Sequence, residues 1–183
     1  GGNVVNVIVL FPKSSDAKNI RNVLMRSGIE VTAVCTSGSQ VIHRIGDLDE
    51  GLLVCGYKYS DMMYDELREY LPKDFAMLVV TSRTHLEELN ISGVPCLPMP
   101  IKVYALVEKV QGMLAEIVLE KKRRRKKLRE RTPEQKALIE KAKSIIMQNN
   151  GMTEAEAHSY LQKHSMDRGM NMVDTAKLIL EVF

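Results

Sequence analysis

Apolar and polar positions along the first 110 residues alternate between short β-like runs and amphipathic helical stretches. Val4–Leu10, Ile29–Cys35, Leu52–Cys55, Ala76–Val80 and Val94–Leu97 read as five strands. The unbroken apolar run of the third fits a strand buried on both faces. Between them, residues 15–27, 40–45, 61–70 and 85–89 read as helices, and a further helix begins at Val103. The first helix turns Ile20, Val23 and Leu24 inward, and Gly28 closes it. Strand–helix repeats of this spacing predict an α/β fold: a five-stranded doubly wound parallel sheet covered on both faces.

The helix from Val103 does not stop where the sheet should. Leu106, Val110, Met113, Leu114 and Ile117 recur at three and four residues, the spacing of a helix seam. That stripe either covers the chain's own sheet or pairs with a second copy. Beyond residue 132 the pattern predicts a small three-helix bundle with three readable starts. Thr132-Pro133-Glu134-Gln135 offers an N-cap, proline at the first helical position and Gln at the third. Thr153–Glu156 reads as a full capping box after Gly151, and Asn171–Asp174 repeats the cap after Gly169. The expected core positions are Leu138, Ala142, Ile145 and Ile146, then Ala157, Tyr160 and Leu161, then Val173, Ala176, Ile179 and Leu180. The implied organisation is a sheet domain over 1–118, a basic helical stalk over 119–131 and the bundle over 132–183.

Composition narrows the class. With 45% hydrophobic and 27% charged residues, the chain is neither a disordered tail nor a membrane protein. Its apolar runs fall well short of the roughly 20 residues that cross a bilayer. No secretory signal pattern is seen, and three scattered cysteines without CxxC fit a reducing cytoplasm better than disulfides or zinc.

Charge changes the picture further. Residues 1–118 hold 11 basic and 14 acidic side chains, whereas 119–183 hold 15 and 9. The excess is concentrated in residues 121–131, KKRRRKKLRER, with nine basic residues and one acid. A solvated connecting helix needs some such residues, but like charges at i,i+4 repel. Nine in eleven points to a polyanion, nucleic acid above all. An anionic membrane is disfavoured, since no lipid anchor or bulky aromatic face adjoins the block.

Candidate chemistry in such a sheet lies beyond the carboxyl ends of its strands. Those positions carry Phe11-Pro12-Lys13, Gly56-Tyr57-Lys58, Thr81-Ser82 and Pro98-Met99-Pro100. No acidic cluster gathers there for magnesium and no glycine-rich loop follows the first strand, so an enzyme is not expected and no cofactor is assigned.

On these residues the first domain resembles the receiver domain of two-component response regulators. That family carries an acidic pair after strand one, a phosphoacceptor Asp after strand three, Thr or Ser after strand four and Lys-Pro after strand five. Here Phe11 and Pro12 stand at the acidic pair, Gly56 at the phosphoacceptor and Met99 at the lysine. Thr81 is kept, and so is Pro100, where the family commonly has a cis proline. The resemblance is to a pseudo-receiver that is not phosphorylated at this site.

Residues 131–183 resemble the ANTAR domain, the three-helix RNA-binding module of antitermination regulators. The family pattern Ala-Lys-Gly-x-Leu-Met appears as Ala142-Lys143-Ser144-Ile145-Ile146-Met147. The Gly151 turn, Thr153–Ala157, Tyr160-Leu161, Val173 and Ala176 follow at family spacing. This implies a homodimer joined by the helical stalk that binds paired hairpins in leader RNA and favours an antiterminator.

The expected RNA contacts are Lys143, Lys136, Lys141, His164 and Arg168, with Arg123, Arg124 and Arg125 of the basic block. Lys136 and Lys143, seven apart, share a face roughly opposite Leu138, Ala142 and Ile145. Tyr160 reads as packing before base stacking. A regulatory protein or ligand at the degenerate pocket is a further expected partner. A DNA-binding regulator and a protein-binding scaffold remain the alternatives, although the third tail helix, with one Lys and no Arg, is a poor recognition helix.

Overall fold

The computed structural model of the chain describes residues 5–182. It divides into two compact units between Arg123 and Arg124.

The first unit is built on five strands: β1 Asn6–Leu10, β2 Ala33–Cys35, β3 Glu50–Cys55, β4 Asp74–Thr81 and β5 Cys96–Pro98. All pair in parallel in the order β2-β1-β3-β4-β5. Val4, expected to open β1, lies outside the described residues. The intervening helices are α1 Ser14–Arg26, α2 Gly38–Ile45, α3 Tyr64–Tyr70 and α4 Leu86–Ile91, the last preceded by a 3-10 turn at Arg83–His85.

Alternation along the strands explains the two layers, because successive side chains leave opposite faces of a sheet. Val7, Val9, Leu52, Val54, Leu78 and Val80 pack against α1. Ile8, Leu10, Leu53, Cys55, Met77 and Val79 pack on the other side against α2, α3 and α4. β3 is buried from Gly51 to Cys55. A Cβ on Gly51 would lie 2.6 Å from the Asn6 carbonyl oxygen and 2.8 Å from the Phe75 ring, so only glycine fits that crossing.

Helix α5, Val103–Arg129, is one uninterrupted element of 27 residues, about 40 Å long. The predicted seam is directed at the sheet: Leu106, Val110 and Met113 are buried in the layer that holds α1, with Leu114 and Ile117 packed against it. Lys121 is tied to β3 through Glu50 at 2.6 Å. Farther along, Leu119 and Leu128 are exposed.

The second unit contains α6 Pro133–Asn150, α7 Glu154–Arg168 and α8 Met172–Val182. Thr132 and Gln135 form a reciprocal capping box. At α7 the cap is one-sided: Thr153 Oγ1 accepts from the Glu156 N–H and donates to the Glu156 carboxylate, both at 3.2 Å. Asn171 caps α8 through the Asp174 N–H at 2.8 Å. Gly151 and Gly169, at φ 63° and 62°, end α6 and α7 in the left-handed conformation that glycine adopts at least cost.

The bundle core is Ile139, Ala142, Ile146, Ala157, Leu161, Met172 and Ala176. Ala142 and Ile146 are buried as expected, whereas Ile139 takes the place of Leu138, and Ile145 is only half-buried. Leu138-Ile139 and Ile145-Ile146 are apolar doublets that define two stripes, and the bundle buries the Ile139–Ile146 one. Lys143 stands on that buried stripe.

Candidate nucleic-acid interface and degenerate receiver pocket

At the carboxyl ends of the strands, Phe11 follows β1, is 3% exposed and forms part of the α1-side core. Its N–H donates to the Cys35 carbonyl, and the Gly56 N–H donates to the Leu10 carbonyl. These bonds continue the sheet ladder and bring the two loops side by side. A Cβ on Gly56 would lie 3.3 Å from the Phe11 ring and 3.7 Å from Pro12 Cδ. The space into which a residue-56 side chain would project is thus lined by hydrocarbon.

Thr81 is 8% exposed at the end of β4 and accepts the Met99 N–H on its carbonyl at 2.8 Å. Met99 is 39% exposed, and the Met99–Pro100 peptide is cis. The structure therefore gathers Phe11, Pro12, Gly56, Thr81 and Met99 at one sheet end. These residues do not fit the divalent cation that receivers use, which needs carboxylate oxygens.

The loops beside this pocket carry a cluster that the sequence did not reveal. Tyr57 stacks on His85 with centroids 3.8 Å apart and rings within 8° of parallel. The Tyr57 hydroxyl donates to Glu88 at 2.6 Å, and the Tyr64 hydroxyl to the same carboxylate at 3.2 Å. Donation to Glu88 is the chief reason the Tyr57 phenol is pushed up to about 12. Asp61 bridges to α2, accepting the Gly38 and Ser39 N–H groups at 2.9 Å each. Desolvation pushes its carboxyl up, but those backbone bonds outweigh it and hold the group below the usual carboxylate range.

In the second unit and the helix leading to it, cations differ sharply in environment. Arg123 and Arg125 are exposed, Arg123 lying 3.5 Å from Glu120. Arg124 is half-buried, and Lys136 and Lys141 are exposed on α6. Lys143 is only 8% exposed. Its Nζ lies 2.9 Å from Glu140 and 4.0 Å from Glu154, linking α6 to the start of α7. The expected open face shared by Lys136 and Lys143 is therefore not present, since helix packing covers Lys143. The i,i+3 spacing of Glu140 and Lys143 was the available signal. On α7, His164 is half-buried against Tyr160 at 4.3 Å, and Arg168 is exposed in the last turn. Among the described residues, no helix is long and apolar enough to cross a membrane.

Residues 123–180 match the family model of the ANTAR domain. The chain is a receiver-fold domain fused to an ANTAR domain. Over 49 residues it is 45% identical to a nitrate regulatory protein of Klebsiella oxytoca, a stretch that makes up 27% of this chain and 12% of that one. The chain thus spans about an eighth of that relative.

Solved structures support the receiver fold. The response regulator StyR superposes with a TM-score of 0.61 at 15% identity, covering 97% of this chain and 98% of its own. A response regulator receiver domain from Clostridium thermocellum gives 0.57 at 15% identity, covering 63% and 98%. A structure titled adenylate cyclase from Rhodopirellula baltica gives 0.61 at 16% identity, covering 68% and 98%. At such identities the likeness is one of fold alone.

Among the described residues, no group of three or more His, Cys, Asp or Glu could hold a metal. The ANTAR match spans Arg123–Arg125 and every expected contact from Lys136 to Arg168, and it supports regulation of the RNA-binding, antitermination type.

Proposed function

We propose that the chain is an RNA-binding transcription antitermination regulator that acts in the cytoplasm as a homodimer. Two ANTAR domains, joined through the stalk, bind paired hairpins in a leader transcript and favour the antiterminator. The observation that carries this reading is the ANTAR match over 123–180, which begins inside the basic block. The exposed cations Arg123, Arg125, Lys136 and Lys141 hold the RNA through phosphates, while unpaired loop bases supply the sequence choice.

The receiver is not phosphorylated at the pocket, because Gly56 has no carboxylate and Phe11 and Pro12 bind no magnesium. Its regulation comes instead from a partner protein or ligand. Two stalks, each with nine cations in residues 121–131, repel one another until RNA or salt neutralises them. Dimerisation and RNA binding are therefore coupled. Sedimentation across a salt series, with and without RNA, tests this; a dimer equally tight in every condition refutes it.

The deciding experiment is binding of the purified chain to a two-hairpin leader RNA, a scrambled RNA and duplex DNA as salt is raised. Selective retention of the paired hairpins is expected. Equal, steeply salt-dependent binding to all three would reduce the basic block to a nonspecific patch and end the antitermination reading.

A further inference from the structure

Within the ANTAR domain, α7 and α8 enclose a groove of about 160 Å³. Tyr160, His164 and Arg168 line it from α7, each one turn beyond the last; Leu178, Ile179 and Val182 line it from α8. Pockets for drug-sized ligands run to about 300–1,000 Å³, so this one suits a single flat ring system. Its α8 wall is apolar apart from Thr175, whose hydroxyl donates to the Asn171 carbonyl, and its α7 wall is aromatic and ends in a cation.

Charge sorts the candidate occupants. From Thr132 onward, acidic side chains outnumber basic ones, seven to six. Yet no acidic side chain lines the groove, and Arg168 brings a positive charge to it. Among the described residues, no carboxylate pairs with Arg168 or His164. A groove for an acidic peptide would need a longer cationic track, and one for a second apolar helix would not need Arg168.

We propose that this groove seats one unpaired base of the bound RNA. The base lies between the Tyr160–His164 pair and the Leu178–Ile179 wall, with the Arg168 guanidinium reaching its polar edge or the adjoining phosphate. Aromatic faces and Arg planes are the surfaces on which splayed-out RNA bases stack. The inference rests on the RNA-binding reading and adds to it the site that reads the loop.

The test uses the full chain and a pool of RNAs with fixed paired stems and randomised loops. Selected binders are resynthesised with one loop position at a time made abasic. Abasic substitution at one position is expected to weaken binding on the order of 10-fold. Arg168→Gln and His164→Leu should cause a similar loss, and the variants should then be indifferent to that abasic position.

Arg168 is exposed, so its variant keeps the bundle; circular dichroism checks both proteins. Tight binding with no coupling between the variants and any loop position overturns the groove and leaves the RNA-binding reading intact. Failure to select any binder above scrambled RNA overturns both. Loss of dimerisation in the variants, without loss of loop dependence, would mean that a second copy occupies the groove.

Discussion

The two units solve the same problem of burying apolar surface with very different margins. In the receiver unit, side chains of the central strands β1, β3 and β4 are buried on both faces, and Leu10, Leu52, Leu53 and Leu78 are wholly inaccessible. In the three-helix unit, among the described residues, only Ala142, Ala157, Leu161 and Ala176 reach zero exposure, and three of those are alanines. The second core is closed partly with hydroxyls. Ser165 Oγ lies 2.8 Å from both the Leu161 carbonyl and Thr175 Oγ1, and the Thr175 hydroxyl donates to the Asn171 carbonyl at 2.9 Å. A domain of some 50 residues has little surplus stability. The same lesion should therefore be survivable in one unit and fatal in the other.

The largest effect should come from leucine truncation. Leu161→Ala and Leu53→Ala each remove a fully buried side chain, at a cost of about 2–5 kcal/mol. Hydrogen exchange should show α6–α8 losing protection in L161A, while the sheet of L53A stays protected at a lowered urea midpoint. A protected bundle in L161A would break the comparison.

Next is Gly51→Ala, which sets a methyl against the Asn6 carbonyl. It should destabilise the receiver unit by about 1–3 kcal/mol, read as a shift of its urea midpoint with the bundle unaffected. Thr175→Val interrupts the hydroxyl chain and should cost the bundle about 1 kcal/mol in thermal melts.

Lys143→Met replaces a mostly covered ammonium whose partner Glu140 is 62% exposed. Such a pair contributes little, so stability should move by less than about 1 kcal/mol in either direction. A fall in RNA affinity without a change in melting would assign Lys143 a contact beyond packing.

The smallest effect concerns Asp61. Its carboxyl is held below the ordinary range in the folded chain, so its contribution is present above the unfolded value and is lost as pH falls through the folded one. Receiver stability should decline slightly more steeply with acid in the native chain than in Asp61→Asn.

Much of the fold could be read from the chain because β1, β3 and β4 are apolar runs bounded by turns, and burial on both faces leaves no other reading for them. Edges were less legible. Ile29–Cys35 promised seven strand residues, but the ladder to β1 is met only at Ala33–Cys35. The bundle's helices were marked by Thr132, Thr153 and Asn171, whose caps act locally and need no tertiary information. Which face of α6 turns inward did need it. The doublets at 138–139 and 145–146 are equally apolar, and only packing against α7 and α8 selects between them. That choice covered Lys143 while leaving Lys136 exposed. The Tyr57–His85–Glu88 cluster escaped for the same reason: residues some 30 positions apart meet only through the sheet order.

The contact between Phe11 and Gly56 also bears on how such a chain can change over generations. An acid arriving first at position 56 would push its Cβ to 3.3 Å from the Phe11 ring and 3.7 Å from Pro12 Cδ. An acid arriving first at position 11 would place an unpaired charge in a site 3% exposed, where burial of such a charge is heavily penalised. Each single step back toward an acidic pocket descends in stability before any chemistry appears. The apolar plug therefore acts as a mutational ratchet, since either acid alone costs the fold stability before a second is there to share a cation with it.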